Sequence, residues 1–178
     1  MKMSYHYTFL LLIIVSISTS LNGICRADPT DGFTLLPLTN DNIKLQKPYN
    51  EPLDDRYSFD DGVRYAYVPK GTSGVTIMQI HGARQGATTL QLRIYNGDLK
   101  YYKFDVIEKN LYDKWFRVNV IHNVDEGELT VYINGKKKYV KNDQGPGDLY
   151  FKCGVYAAPA GSSKYMESRW KGIKIYKK

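Results

Sequence analysis

Two dipeptides constrain this chain more than any other feature. Asn96-Gly97 and Asn134-Gly135 each lie between runs in which apolar and polar residues alternate. Asn-Gly is the strongest short signal for a two-residue hairpin, because both positions accept positive φ at little cost. Alternation means that the flanking segments are strands with one buried face. In "TTLQLRIYNG", Leu90, Leu92 and Ile94 fall on one face and Gln91, Arg93 and Tyr95 on the other. In "ELTVYING", Leu129, Val131 and Ile133 form the apolar face. Strands joined by so short a turn run antiparallel, so the sheet they build is antiparallel.

The rest of the chain follows the same pattern. "TSGVTIMQIHG" reads as a strand with Val75, Ile77, Gln79 and His81 on one face and Thr76, Met78 and Ile80 on the other. "KWFRVNVIH" sets Phe116, Val118 and Val120 against Trp115, Arg117 and Asn119, and His122 continues the apolar face as a structural histidine. "LYFKCGVY" sets Leu149, Phe151, Cys153 and Val155 toward a core and Tyr150, Lys152, Gly154 and Tyr156 away from it. Residues 33–38 and 43–46 read as a first strand region, Pro48 and Pro52 mark a loop, and "RYSFDDG" reads as a short strand and turn. "LKYYKFDV" returns from the first hairpin, and "WKGIKIYKK" closes the domain. Helical periodicity is absent. The expected fold class is therefore all-β: an antiparallel β-sandwich of jelly-roll type.

The N-terminus reads differently. Lys2 precedes the apolar run "FLLLIIV", a Ser/Thr-rich stretch follows, and Cys25-Arg26-Ala27 has the small-x-Ala form of a cleavage site. This is the pattern of a secretory signal peptide over residues 1–27, with one domain over 28–178. The apolar run is too short and too diluted by Ser and Thr to serve as a comfortable membrane span. The expected address is the secretory pathway, ending in the extracellular space, the cell wall or a vacuole, with no membrane attachment after cleavage. Removal of Cys25 leaves Cys153 alone, so the domain must rest on its core rather than on a disulfide. Cleavage also removes Lys2 and Arg26, which lowers the formal charge from +7 to about +5, and this balance suits an anionic partner. The run Lys136-Lys137-Lys138 reads as a charged sheet edge that blocks further pairing, not as a nucleic-acid patch.

Three strands thus offer polar and aromatic groups on one face: Gln79 and His81; Gln91, Arg93 and Tyr95; Tyr150, Lys152 and Tyr156. Aligned in one sheet, they would line a groove with cationic groups, amides, phenols and one imidazole. Such a surface suits a carboxylated ligand. No cluster of His, Cys, Asp and Glu has metal-ligand spacing, and no Gly-rich phosphate loop or serine-nucleophile elbow occurs, so neither a metal nor a cofactor is expected. The expected partner carries carboxylates, and the expected state is a monomer.

The long stretches "DPTDGFTLLPLTNDNIKLQKPYNEPLDDRYSFDDG", "VPKGTSGVTIMQIHGA", "LYDKWFRVNVIHNVD" and "YFKCGVY…YMESRWKGIKIYKK" resemble the plant citrate-binding protein family, itself similar to alginate lyases of the concanavalin-like jelly-roll type. The resemblance singles out Gln79-Ile80-His81 and Tyr150 to Tyr156, which match two functional motifs of the lyases. It implies a protein that binds citrate or an acidic oligo- or polysaccharide or, as the alternative, a polysaccharide lyase cleaving uronic-acid polymers by β-elimination. In the lyase reading Gln79 and an arginine neutralise the substrate carboxylate, His81 takes the C5 proton and Tyr156 protonates the leaving oxygen, or Tyr156 takes both roles. The Arg-Ser/Thr-Glu-x-Arg strand of the lyases has no counterpart, because "DDGVRYAY" runs directly into "VPKGTSG". Arg64, Arg84 and Arg93 are the candidates to replace its arginine, and Ala158 stands where the lyases usually carry Gln. On sequence, binding and catalysis both stay open.

Overall fold

Both Asn-Gly turns close as two-residue hairpins. Asn96 and Gly97 have φ of 51° and 88°, and Asn134 and Gly135 of 50° and 74°, so both central residues lie in the left-handed region that such a turn demands. The structure, a computed structural model, describes residues 27–42, 65–82, 88–156 and 159–178. The signal-peptide reading of 1–26, the strand reading of 43–46, "RYSFDDG", Arg64, Arg84 and Ala158 lie outside these residues.

Among the described residues thirteen strands follow one another: β1 Thr34–Leu36, β2 Tyr65–Tyr67, β3 Val75–Gly82, β4 Thr88–Tyr95, β5 Asp98–Tyr101, β6 Asp105–Glu108, β7 Trp115–Phe116, β8 Val118–Asn123, β9 Glu128–Ile133, β10 Lys136–Asn142, β11 Leu149–Tyr156, β12 Arg169–Lys171 and β13 Ile175–Lys177. Every strand pairing is antiparallel. One layer is a five-stranded sheet in the order β11-β3-β4-β5-β6. Facing it are the sets β10-β9-β8 and β12-β2-β7, with the pair β1-β13 beside them. The all-β sandwich expected from the sequence is what forms.

The core lies between the layers. Leu90, Leu92, Ile94 and Leu99 of the five-stranded sheet pack in one cluster with Ala66, Phe116, Val131 and Ile133 of the opposing strands. Most of these side chains are completely buried, and each contributes ~1.5–3 kcal/mol relative to exposure. Polar bonds tie one edge: the Tyr139 hydroxyl donates to Asp105 at 2.7 Å, and Lys138 pairs with Glu108 at 2.7 Å. His122 is indeed structural. Its Nε2 lies 2.8 Å from Asp143, and the bonds from His122 and the Gly145 amide hold the Asp143 carboxyl below its usual range.

Four details depart from the sequence reading. The β3 register slips between Thr76 and Met78, so Ile77 is an extra residue in its strand. Such a bulge reverses the alternation. Thr76 therefore shares a face with Gln79 and His81, while Val75, Met78 and Ile80 point to the core side together. Second, "LKYYKFDV" breaks into β5 and β6 at Tyr102, whose φ is 49°. Third, "WKGIKIYKK" breaks into β12 and β13 around Gly172, whose φ is 60°. Fourth, "LYFKCGVY" lies at the edge of its sheet and is not closely covered. Phe151 is 37% exposed and Val155 42%. Phe151 and Cys153 line a cavity of about 270 Å³ with Met78, Ile80, Val120 and Trp170. Burial still pushes the Cys153 thiol up to about 12.

Candidate functional site

The pairing of β11, β3, β4 and β5 builds a grid on the face turned away from the core. Residues directly opposite each other on neighbouring strands share a face. The first row is Tyr150, His81 and Thr88. The second is Lys152, Gln79 and Gln91. The third is Tyr156, Thr76, Arg93 and Lys100. Tyr95 follows Arg93 on the same face of β4. All eight residues singled out in the sequence, Gln79, His81, Gln91, Arg93, Tyr95, Tyr150, Lys152 and Tyr156, thus meet on one surface of one sheet.

Its floor is a network of short bonds. The Gln79 Nε2 donates to Thr88 Oγ1 at 2.9 Å. The Gln91 Nε2 donates to Thr76 Oγ1 at 2.8 Å, and Arg93 Nε donates to the same oxygen at 3.1 Å. Arg93 also reaches the Tyr95 hydroxyl at 3.4 Å. Gln79 and Gln91 are 3% and 5% exposed, so their amides form the base of the surface and cations and phenols form its walls. The Lys152 ammonium lies 4.4 Å from the Tyr156 ring centroid and 5.5 Å from that of Tyr150. Lys100 lies 5.8 Å from the Tyr95 ring, and Arg93 lies 5.7 Å from that of Tyr102. The His81 and Tyr150 rings lie 5.2 Å apart.

Two consequences follow for chemistry. Arg93, Lys100 and Lys152 make no ion pair with a carboxylate among the described residues. Their charge is available to an anion. Among the described residues, Gln79 Oε1 and His81 Nδ1 of this grid are buried atoms without a hydrogen-bond partner. An unpaired buried polar atom costs ~1–3 kcal/mol, so such atoms mark places where a ligand gains by binding. His81 and Tyr156 are not neighbours, since His81 stands opposite Tyr150 and Tyr156 opposite Thr76.

Sequence reasoning did not pick out Thr76, Thr88, Lys100 or Tyr102. Lys100 was within reach, because the two-residue turn at Asn96-Gly97 fixes Arg93 opposite Lys100. Thr76 was not, because nothing in the alternation announces the bulge at Ile77. Among the described residues no group of His, Cys, Asp and Glu is placed to hold a metal ion.

The alginate lyase family model matches residues 63–177. A citrate-binding protein of Hevea brasiliensis is 50% identical over 209 residues, covering 96% of this chain and 87% of that protein. The chain belongs to the citrate-binding protein family. Its alginate-lyase-type domain spans the whole candidate surface. The match to the Hevea protein is longer than the 178-residue chain itself, so part of the relative faces a gap in this one. No solved structure matches the chain.

Proposed function

We propose that the protein binds citrate and related polycarboxylates on the outer face of the β11-β3-β4-β5 sheet. The observation that carries this reading is the set of three cations, Arg93, Lys100 and Lys152, that have no carboxylate partner among the described residues, around a floor of buried amides. Citrate has three carboxylates and one hydroxyl. The guanidinium of Arg93 offers a fork to one carboxylate, and Lys100 and Lys152 offer point charges to the others. Gln79 Oε1, a buried acceptor without a donor among the described residues, lies at the base of this surface. The phenols of Tyr95, Tyr150 and Tyr156 complete the rim. The name of the Hevea relative supports the same ligand.

The groove chemistry extends to uronic acid oligomers, whose carboxylates are spaced along a chain. The lyase alternative is less favoured, because the Hevea relative is named for citrate binding and the Arg-Ser/Thr-Glu-x-Arg motif of the lyases has no counterpart in the sequence. We further propose that residues 1–27 direct the chain into the secretory pathway and are removed, toward an extracellular, wall or vacuolar address.

Thermal unfolding of residues 28–178 tests the binding reading. Ligand that binds only the folded state stabilises it by ~2.7 kcal/mol at a hundred times its Kd. Citrate is expected to raise the midpoint in a dose-dependent way, and acetate is not. An unchanged midpoint at millimolar citrate would contradict the proposal.

A further inference from the structure

The opposite side of the sandwich carries a second surface of related chemistry. In the β12-β2-β7 sheet, Ala66 and Phe116 point inward and are buried, and Trp170 packs against the same core. The alternate residues therefore point outward: Tyr65 and Tyr67 on β2, Trp115 on β7, Arg169 and Lys171 on β12. Arg169 stands opposite Tyr67, and Tyr67 opposite Trp115. The Tyr67 and Trp115 rings lie 5.3 Å apart. Lys171 lies 4.5 Å from the Trp115 centroid and 5.7 Å from that of Tyr65, and Arg169 lies 5.4 Å from that of Tyr67.

Cation–π contacts across strands stabilise a sheet on their own account. They do not require Trp115 to stay 42% exposed. The charges around it are also uneven. Arg169 is paired with Glu167, and the Tyr67 hydroxyl donates to Asp113 at 3.2 Å, so that end is neutralised. Lys171 makes no ion pair among the described residues. The result is an open indole with a free ammonium beside it.

We propose that this face is a second carbohydrate surface, specific for uronic acid residues of an acidic polysaccharide. A uronate has a flat C–H face, which stacks on the Trp115 ring, and a carboxylate, which reaches Lys171. A neutral sugar would use only the first contact and a small anion only the second. The proposal is independent of the groove, since the two surfaces lie on opposite layers of the sandwich.

Affinity electrophoresis in gels containing polygalacturonate tests it, with uncharged dextran as the reference polymer. The background carries Arg93→Ala, Lys100→Ala and Lys152→Ala, which removes all three cations of the groove. Retardation is expected to persist there, to fall roughly five- to tenfold with Trp115→Ala, and to recover with Trp115→Phe. Lys171→Gln is expected to weaken it more than Lys137→Gln, an equal loss of charge on the distant β10. Unchanged retardation in Trp115→Ala would overturn the proposal. Equal effects of the two lysine variants would overturn it too, because binding would then follow net charge alone. A melt of each variant excludes misfolding, and citrate binding by the parent chain is measured separately, so failure of one site is distinguishable from failure of the other.

Discussion

At the scale of the residue, Thr76 holds more of the candidate site than its size suggests. It is 1% exposed, and its one hydroxyl oxygen accepts from both Gln91 and Arg93. Thr76→Val removes the acceptor and leaves a buried amide unpaired, at ~1–3 kcal/mol. Citrate binding should weaken with it as Arg93 loses its tether, and Thr76→Ser should restore both, by thermal melt and titration. Asp143 makes a prediction in pH. Its folded pKa is depressed by His122, so its stabilising contribution is present above the ordinary carboxylate range near ~3.9. That contribution is lost as pH falls through the lower folded value. Melts at descending pH should show Asp143→Asn converging on the parent only at the acid end. A constant gap between the two would contradict this. Asp28 belongs to the same class: its carboxylate takes two bonds from Arg117, at 2.5 and 2.6 Å, which hold it well below its usual range.

The elements show what periodicity can and cannot reveal. Both hairpins were legible, because Asn-Gly determines turn type and register at once. The inward faces of β4 and β9 followed from strict alternation, and Leu90, Leu92, Ile94, Leu129, Val131 and Ile133 are all completely buried. The polar face was legible for the same reason, since it is the other half of the same alternation. β3 was legible only in part: its polar residues were placed on the right face, but the bulge at Ile77 moved Thr76 onto that face unannounced. β11 was misread as a core strand, because an edge strand over a cavity has the same apolar pattern as a packed one. The β3–β11 junction also depends on Gly82, with φ of 123°, where a Cβ would meet the Asp148 carbonyl oxygen at 2.0 Å. Gly82→Ala should therefore force β11 away, with a loss above ~3 kcal/mol. Gly135→Ala, with φ of 74° and nothing near its Cβ, should cost only ~1 kcal/mol. Urea midpoints of the two variants decide this, and equal losses would contradict the assigned β3–β11 register.

At the scale of the whole molecule, one folded frame carries the two proposed binding surfaces. The frame needs no disulfide among the described residues, where Cys153 is a free thiol. The expected cleavage after Ala27 would leave Asp28 at the terminus with its Arg117 bond intact, and its amine beside the Asp31 carboxylate, 2.7 Å from the Asp28 nitrogen. Mass spectrometry of protein recovered after secretion should therefore give a chain starting at Asp28, and a retained leader would contradict the processing proposal. The cationic face of the five-stranded sheet is the proposed receptor of a polycarboxylate. Calorimetric titration of citrate into residues 28–178, beside the Lys152→Ala chain, tests this. Saturable heat in the parent and at least tenfold weaker binding in the variant, ~1.4 kcal/mol, is the predicted result. Citrate binding of equal strength in both chains would move the site elsewhere, and no heat in the folded parent would refute it.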